Sequence, residues 1–272
     1  MKHSDRWNPL QENHTVDDVQ ASSYVIISNT QQGKGGDDFW PKAEESLLQA
    51  FEFYFLETFS PNNNLTHIYK KIATSSGDDL ADMFNNLSED SAARTVYNSF
   101  AKGNSTIETS ILTGLCTRLK IFLNEDLQRL TSQTDIDLSL PGKEPCIYYI
   151  ITSDIDSSYD VIASLFYTFL FIKLIDYADS QPNGRCKNEV FFFLDEFANL
   201  GQIPDFNKKI STVRSRGVHL IPILQNLGQF NNRYPDGLSD EIMGNCDVRL
   251  GLRNDRCINS KLFLFSNRCL NS

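Results

Sequence analysis

Residues 190 to 201 read V-F-F-F-L-D-E-F-A-N-L-G, and no other stretch constrains the fold as strongly. Five apolar residues, Val190 to Leu194, run straight into two adjacent carboxylates, Asp195 and Glu196. A strand that is apolar on successive positions is expected to be buried on both faces, as in a parallel sheet covered by helices. Such sheets bind ligands outside the carboxyl ends of their strands, which is where the acidic pair stands. One carboxylate there can hold a magnesium ion that bridges nucleotide phosphates, and the other can polarise a water as general base. Alternation along the strand is expected to aim the two side chains in different directions. The plain alternative is that the pair starts a turn or caps a helix.

The next thirty residues add weight to the chemical reading. Pro204 and Asp205 open a helix expected over about 206–215, and Gly217 ends it. Val218 to Leu224 reads as a second apolar strand, with a bulge expected at Pro222 because proline donates no ladder hydrogen bond. Gln225 follows that strand and shares a rim with Asp195 and Glu196 if the strands are parallel. Its amide both donates and accepts, which suits sensing a terminal phosphate or a water. Arg214 and Arg216 close the intervening helix. They either complement the negative end of the helix dipole or include one residue that stabilises transition-state charge on a nucleotide held by a neighbouring subunit.

Upstream the pattern changes. Asp17 to Ile27 carries a V-I-I that favours strand and an Asp17-Asp18 start that favours helix, and helix is expected. Residues 31–38 read as a Gly-rich linker. Phe39 to Phe59 has a one-face helical pattern with Pro41 in its first turn, ended by Asn62-Asn63-Asn64. Further helices are expected near 65–74, 78–86, 90–102 and 106–123. Strands are expected at Ile136–Leu140 and Cys146–Thr152 around a turn at Pro141–Glu144. A helix over Tyr159–Ala178 and a last strand at Asp247–Leu252 complete an alternation typical of a parallel α/β sheet.

Composition sets limits. The 272 residues are 40% hydrophobic and 22% charged, ordinary for a folded chain. The net charge of -10 argues against generic nucleic-acid coating, though not against a few basic residues lining a pore, and it suits a basic protein partner. The six cysteines include no C-x-x-C pair, which argues against a zinc site, and reduced cytosolic thiols are the default expectation. The longest apolar run, Val161 to Ile175, is shorter than the roughly twenty residues a bilayer span needs and includes Lys173. It is expected to be a buried helix.

The segments D-E-F-A-N-L-G-Q-I-P-D-F, S-T-V-R-S-R-G, I-L-Q-N-L-G-Q and G-N-C-D together resemble the motor domain of type IV secretion coupling proteins. These are the TraG/TraD-type conjugative DNA-transfer ATPases of the FtsK–HerA group. The stretches S-D-R-W-N-P-L (Ser4 to Leu10), Asp37 to Leu48 and Pro145 to Tyr167 also fit, so the resemblance covers about residues 4 to 252. It implies a partial RecA-like P-loop motor with a mainly parallel sheet and an inserted all-α domain. The implied divisions are 1–38 (motor segment and linker), 39–130 (all-α domain), 131–252 (rest of the motor) and 253–272 (irregular tail, with Leu262 to Phe265 a sticky run). By resemblance Asp195 is the Walker B magnesium aspartate, Glu196 the catalytic glutamate and Gln225 the phosphate sensor. Arg214, with Arg216 second, is the arginine acting across a subunit interface.

The cofactors implied are ATP and Mg2+. The implied partners are a relaxase or other cargo on the all-α domain, single-stranded DNA in a hexamer, and secretion-channel components at the cytoplasmic face of a membrane. No G-x-x-x-x-G-K-[ST] loop occurs in the sequence. Gln32 to Asp37 lacks the final hydroxyl residue, follows no apolar strand and has acidic neighbours, and so reads as linker. The chain is therefore expected to be truncated at the N-terminus, ahead of S-D-R-W-N-P-L, and at the C-terminus beyond Arg253. By itself it is expected to bind no nucleotide. The competing readings are a related DNA translocase without secretion and a non-catalytic remnant that still binds cargo.

Overall fold

The computed structural model describes residues 4–30, 38–58, 63–152 and 159–251. The Gly-rich linker and the tail beyond Gly251 lie outside the described residues. The first half is helical. Helix α1 spans Val16–Thr30. The Asp18 carboxylate accepts the backbone N–H groups of His14 and Thr15, both at 3.0 Å, at the positive end of the helix. Val25, Ile26 and Ile27 are all buried, because α1 packs against the helices over Phe39–Thr58 and Asp160–Ser180. Tertiary burial outweighs their β-branched preference.

Helix α2, Phe39–Thr58, is the axis of the helical half and contacts α1, α5 and α6. Around it stand α3 (Leu65–Thr74), α4 (Gly77–Asn85), α5 (Ala92–Phe100) and α6 (Ser105–Leu119), the last continuing as a 3-10 turn over Lys120–Leu123. Each start is capped by a side chain: Asn64, Ser76, Ser91 and Asn104. Ser76 and Asp79 form a reciprocal capping box. Phe51, Phe84 and Tyr97 form the aromatic centre, with Phe84 and Tyr97 stacked at 4.2 Å. A further short helix, α7 (Glu125–Leu130), was not expected from the sequence pattern. The N-terminal segment is bound to the end of this half through Trp7 N–H to Leu130 O at 2.7 Å and an Arg6–Asp135 ion pair at 2.8 Å.

Two buried polar contacts pin these helices. Glu44 on α2 pairs with Arg118 on α6, and Arg118 also donates to the Ile27 carbonyl of α1 at 3.2 Å. Gly114 lies under the Glu44 carboxylate, and a Cβ there would come within 2.9 Å of Glu44 Cδ. Glu52 on α2 is fully buried and accepts from Ser22 on α1 and from Asn13 at 2.9 Å. Its other oxygen and the Asn13 amide oxygen have no partner among the described residues. Burial, opposed by these two donors, pushes the Glu52 carboxyl up to about 8.

The second half contains the sheet. Helix α9, Asp160–Ser180, is buried along most of its length. At 21 residues it is long and apolar enough to cross a membrane, but it is mostly buried inside the molecule, and Lys173 donates to the Glu12 carbonyl at 3.0 Å. Strand β1, Val190–Leu194, pairs in parallel with β2, Val218–Pro222, in the register Val190 to Val218 through Leu194 to Pro222. Between them runs α10, Phe206–Thr212, continued by a 3-10 turn that Gly217 ends with a φ of 80°. Helices α11 (Leu227–Arg233) and α12 (Leu238–Gly244) follow.

The structure corrects several expectations. Residues 136–140 are not a strand: the Asp137 carboxylate accepts from Ser139 N–H at 2.8 Å and pairs with Lys143, turning the chain into the one-turn helix α8, Leu140–Lys143. Residues 146–152 form no strand among the described residues. Ile147, Tyr149 and Ile151 face outward, while Tyr148 and Ile150 pack on the core. Residues 247–251 form no strand, and Val248 and Leu250 are exposed. Nor is β1 buried on both faces: Val190, Phe192 and Leu194 are buried, but Phe191 and Phe193 are 57% and 70% exposed. With one helical layer under a two-stranded sheet, the opposite face has no cover among the described residues. Pro222 makes no bulge. It ends β2 opposite Leu194, where its missing donor costs the ladder little.

Candidate active site at the strand rim

Both strands end at one rim, and the acidic pair emerges there. The ladder closes with Ile223 N–H to Leu194 O and Phe197 N–H to Ile223 O, each 3.0 Å. The strand stops at Leu194, so Asp195 and Glu196 diverge through a turn rather than through strand alternation. Glu196 has φ 48° and ψ 42°, a left-handed conformation uncommon for a glutamate. Such strain persists only where the surroundings hold it. Here the next residue, Phe197, is fully buried among Phe206, Phe230 and Tyr234.

The Glu196 carboxylate is held by two amides. Asn199 Nδ2 donates to one oxygen at 2.8 Å, and Gln225 Nε2 donates to the other. Thus Gln225 meets Glu196 across the strand ends, as the parallel register requires. Asp195 is exposed and accepts only the Glu196 N–H, at 3.1 Å, among the described contacts. A dent of about 10 Å³ lies between Glu196, Asn199, Gln225 and Gln229, at the lower limit for one water molecule. Asn199 and Gln229 were not singled out from the sequence. An amide three residues after an acidic residue is a weak signal that many turns share.

Arg214 and Arg216 lie elsewhere. They precede β2, at the opposite end of a five-residue strand, roughly 15 Å from the rim at ~3.3 Å per residue. Arg214 pairs with Asp247 and is 70% exposed. Arg216 grips Asp179 with two bonds, at 2.8 and 3.1 Å. Neither reaches the acidic pair of its own chain.

The rim is anchored from behind. Asn29 at the end of α1 donates to Ser164 Oγ at 3.2 Å and to Gln202 O at 3.1 Å, and accepts Gln202 N–H at 2.9 Å. Gly201 lets the loop close on α9, because a Cβ there would come within 2.5 Å of the Asp160 carbonyl.

Over residues 1–262 the chain matches the family described as Type IV secretory system Conjugative DNA transfer. The chain belongs to that family. Its fold matches the bacterial conjugative coupling protein TrwB lacking 70 N-terminal residues, in an unbound form (TM-score 0.63, 15% identity, 90% of this chain and 53% of that one). A sulphate complex of the same protein gives TM-score 0.67, 15% identity, and 90% and 55% coverage. TrwB with ADP and Mg2+ gives 0.62, 14%, 90% and 54%. The chain therefore spans about half the length of these coupling proteins. No curated protein sequence matches it. The fold is partial RecA-like α/β, mostly helical with a small parallel sheet.

The donor set suits the metal and nucleotide of the family. Magnesium favours one or two carboxylates, with water and phosphate oxygens completing its shell. Asp195 is one exposed carboxylate beside an ordered second one. Among the described residues no group of three His, Cys, Asp or Glu forms a self-sufficient metal site.

Proposed function

We propose that this chain is part of the motor of a conjugative coupling ATPase, and that its strand rim senses and hydrolyses ATP once a phosphate-binding loop completes the pocket. The Gln225–Glu196 hydrogen bond across the two strand ends carries this reading. In it, Asp195 holds Mg2+, Glu196 is the general base and Gln225 reports the terminal phosphate. Bound MgATP supplies the electrophilic phosphorus and the charge that the loop cradles.

The chain's own residues do the rest. Asn199 and Gln225 orient the Glu196 carboxylate towards the dent, where it takes the proton of a water seated there. Gln225 shares its amide between Glu196 and whatever occupies the pocket, which couples the state of the base to the nucleotide. Arg214, exposed and distant from its own rim, acts on a neighbouring subunit, with Arg216 second. The helices of residues 39–130 form the cargo-recruiting block between the motor parts 1–38 and 131–252. A relaxase is the expected cargo, single-stranded DNA the transferred strand, and the cytoplasmic face of the membrane the site of action beside the secretion channel. TrwB structures with an ATP analogue and with ADP and Mg2+ support the cofactor assignment.

The test is hydrolysis by the chain alone and by the chain joined to a segment bearing a G-x-x-x-x-G-K-[ST] loop. Only the joined form should turn over. Glu196→Gln should then abolish turnover, by about 10²-fold or more, while nucleotide binding persists. Turnover unaffected by Glu196→Gln in the joined form refutes the assignment.

A further inference from the structure

A cleft of about 250 Å³ opens between α2, α3 and α4, lined by Phe51, Tyr54, Phe55, Asn63, His67, Lys71 and Met83. It lies in the helical half, away from the acidic rim. Its floor is aromatic and rigid: Phe51 is fully buried and packs edge-on against Phe84, as does Tyr54. One end is fixed by Asn63, whose amide donates to Phe55 O at 3.3 Å and whose carbonyl accepts from the buried Asn8 at 2.7 Å. His67 and Lys71 are one helical turn apart on α3, so both side chains border the same opening.

The volume is below the range of ordinary cofactor pockets, about 300–1,000 Å³. It suits one large apolar side chain. The polar wall carries one cation, Lys71, in a molecule of net charge -10. Among the described residues, neither the His67 nor the Lys71 side chain makes an ion pair or side-chain hydrogen bond. Lys71 lies near enough to Asp79 to help hold its carboxyl below the usual range, behind the larger effect of Ser76. Asp78, Asp79 and Asp82, all exposed on α4 beside Met83, oppose any ligand carrying a run of phosphates. A single carboxylate carries less charge than a run of phosphates and meets correspondingly less of this opposition.

We infer that this cleft binds a protein segment presenting an aromatic or large aliphatic side chain immediately beside a single carboxylate, the side chain entering over Phe51 and Met83 and the carboxylate meeting Lys71 and His67. The inference deepens the partner-recruiting role proposed for the helical block and rests on it.

The chain has three methionines, Met1, Met83 and Met243, so methionine-methyl NMR places one probe in the cleft, Met83, and one control outside it, Met243. N-acetyl-phenylalanine, carrying the free carboxylate, should move the Met83 methyl saturably with a Kd on the order of 1 mM, as expected for so small a ligand. Met243 should stay still. The primary amide of the same compound, and the exposed-site variant Lys71→Gln, should each weaken binding about tenfold. Three results overturn the inference: no saturable Met83 shift up to about 10 mM, equal affinity for acid and amide, or displacement of the probe by a ten-nucleotide oligothymidylate, which would assign the cleft to nucleic acid. Failure of this binding removes the cleft. Co-elution of relaxase with the chain, lost on deleting residues 39–130, tests the recruiting role separately.

Discussion

Replacing Glu52 with glutamine should stabilise the protein at neutral pH and leave it almost unchanged in acid. Glu52 is fully buried, and two oxygens of its cluster, Glu52 Oε1 and Asn13 Oδ1, lack partners among the described residues. A proton on the carboxyl supplies the missing donor. With its pKa raised to about 8 from 4.5, the folded state keeps that proton where the unfolded chain has released it. The native state then binds more protons than the unfolded state between pH 4.5 and 8, so stability falls as pH rises through that window. It is fully present below pH 4.5 and lost once pH passes the folded value near 8. The slope is ~1.4 kcal/mol per pH unit, so the cost at pH 7 is about 3 kcal/mol.

Glutamine has the same shape, needs no proton, and can donate to Asn13 while accepting from Ser22. Glu52→Gln should therefore raise the unfolding free energy at pH 7 by about 2–3 kcal/mol, or Tm by about 5 °C. At pH 5 the gain should shrink below ~1 kcal/mol. Urea unfolding of both proteins at pH 5, 6, 7 and 8 measures the difference directly. A variant equally destabilised at every pH would refute the reasoning, because it would mean that Glu52 is ionised and held by Ser22 and Asn13 as a carboxylate.

Two further outcomes are expected. Gly114→Ala should destabilise by about 2 kcal/mol, despite alanine's ~1 kcal/mol helix advantage, because the new methyl displaces Glu44 from Arg118; chemical unfolding with Glu44→Gln as the partner in a double-mutant cycle tests it. Phe191→Ser together with Phe193→Ser should lower self-association and dye binding by exposed apolar surface, with little loss of Tm, since both rings face away from the core; sedimentation velocity against the parent chain reads the effect.

How much was legible in the sequence depended on how local the controlling physics was. Val190–Leu194 and α3 at Leu65–Thr74 coincide with their expected spans, because an apolar run and an Asn64 cap act within a few residues. The meeting of Glu196 with Gln225 followed from strand direction alone. Residues 136–140 misled because Asp137 bonds to Ser139 and Lys143, a side-chain effect that hydrophobic alternation does not register. Residues 146–152, expected as a strand, form none among the described residues, because an apolar run says nothing about whether a partner strand is present. Likewise Phe191 and Phe193 signalled a second covering layer that the described residues do not contain. Asn199 and the left-handed turn at Glu196 left no trace in residue pattern, since they are set by how Phe197 fits among rings from α10 and α11.

Asn29 carries a consequence for anyone who would cut this protein into pieces. One amide at the end of α1 joins Ser164 on α9 to the loop that follows the acidic pair, and α1 lies equally against α2. A boundary drawn near residue 38 would strip the loop after the acidic pair of its backing and the helical bundle of one wall in a single stroke. The two halves are bolted through a shared strut, so they should melt together and resist being expressed apart.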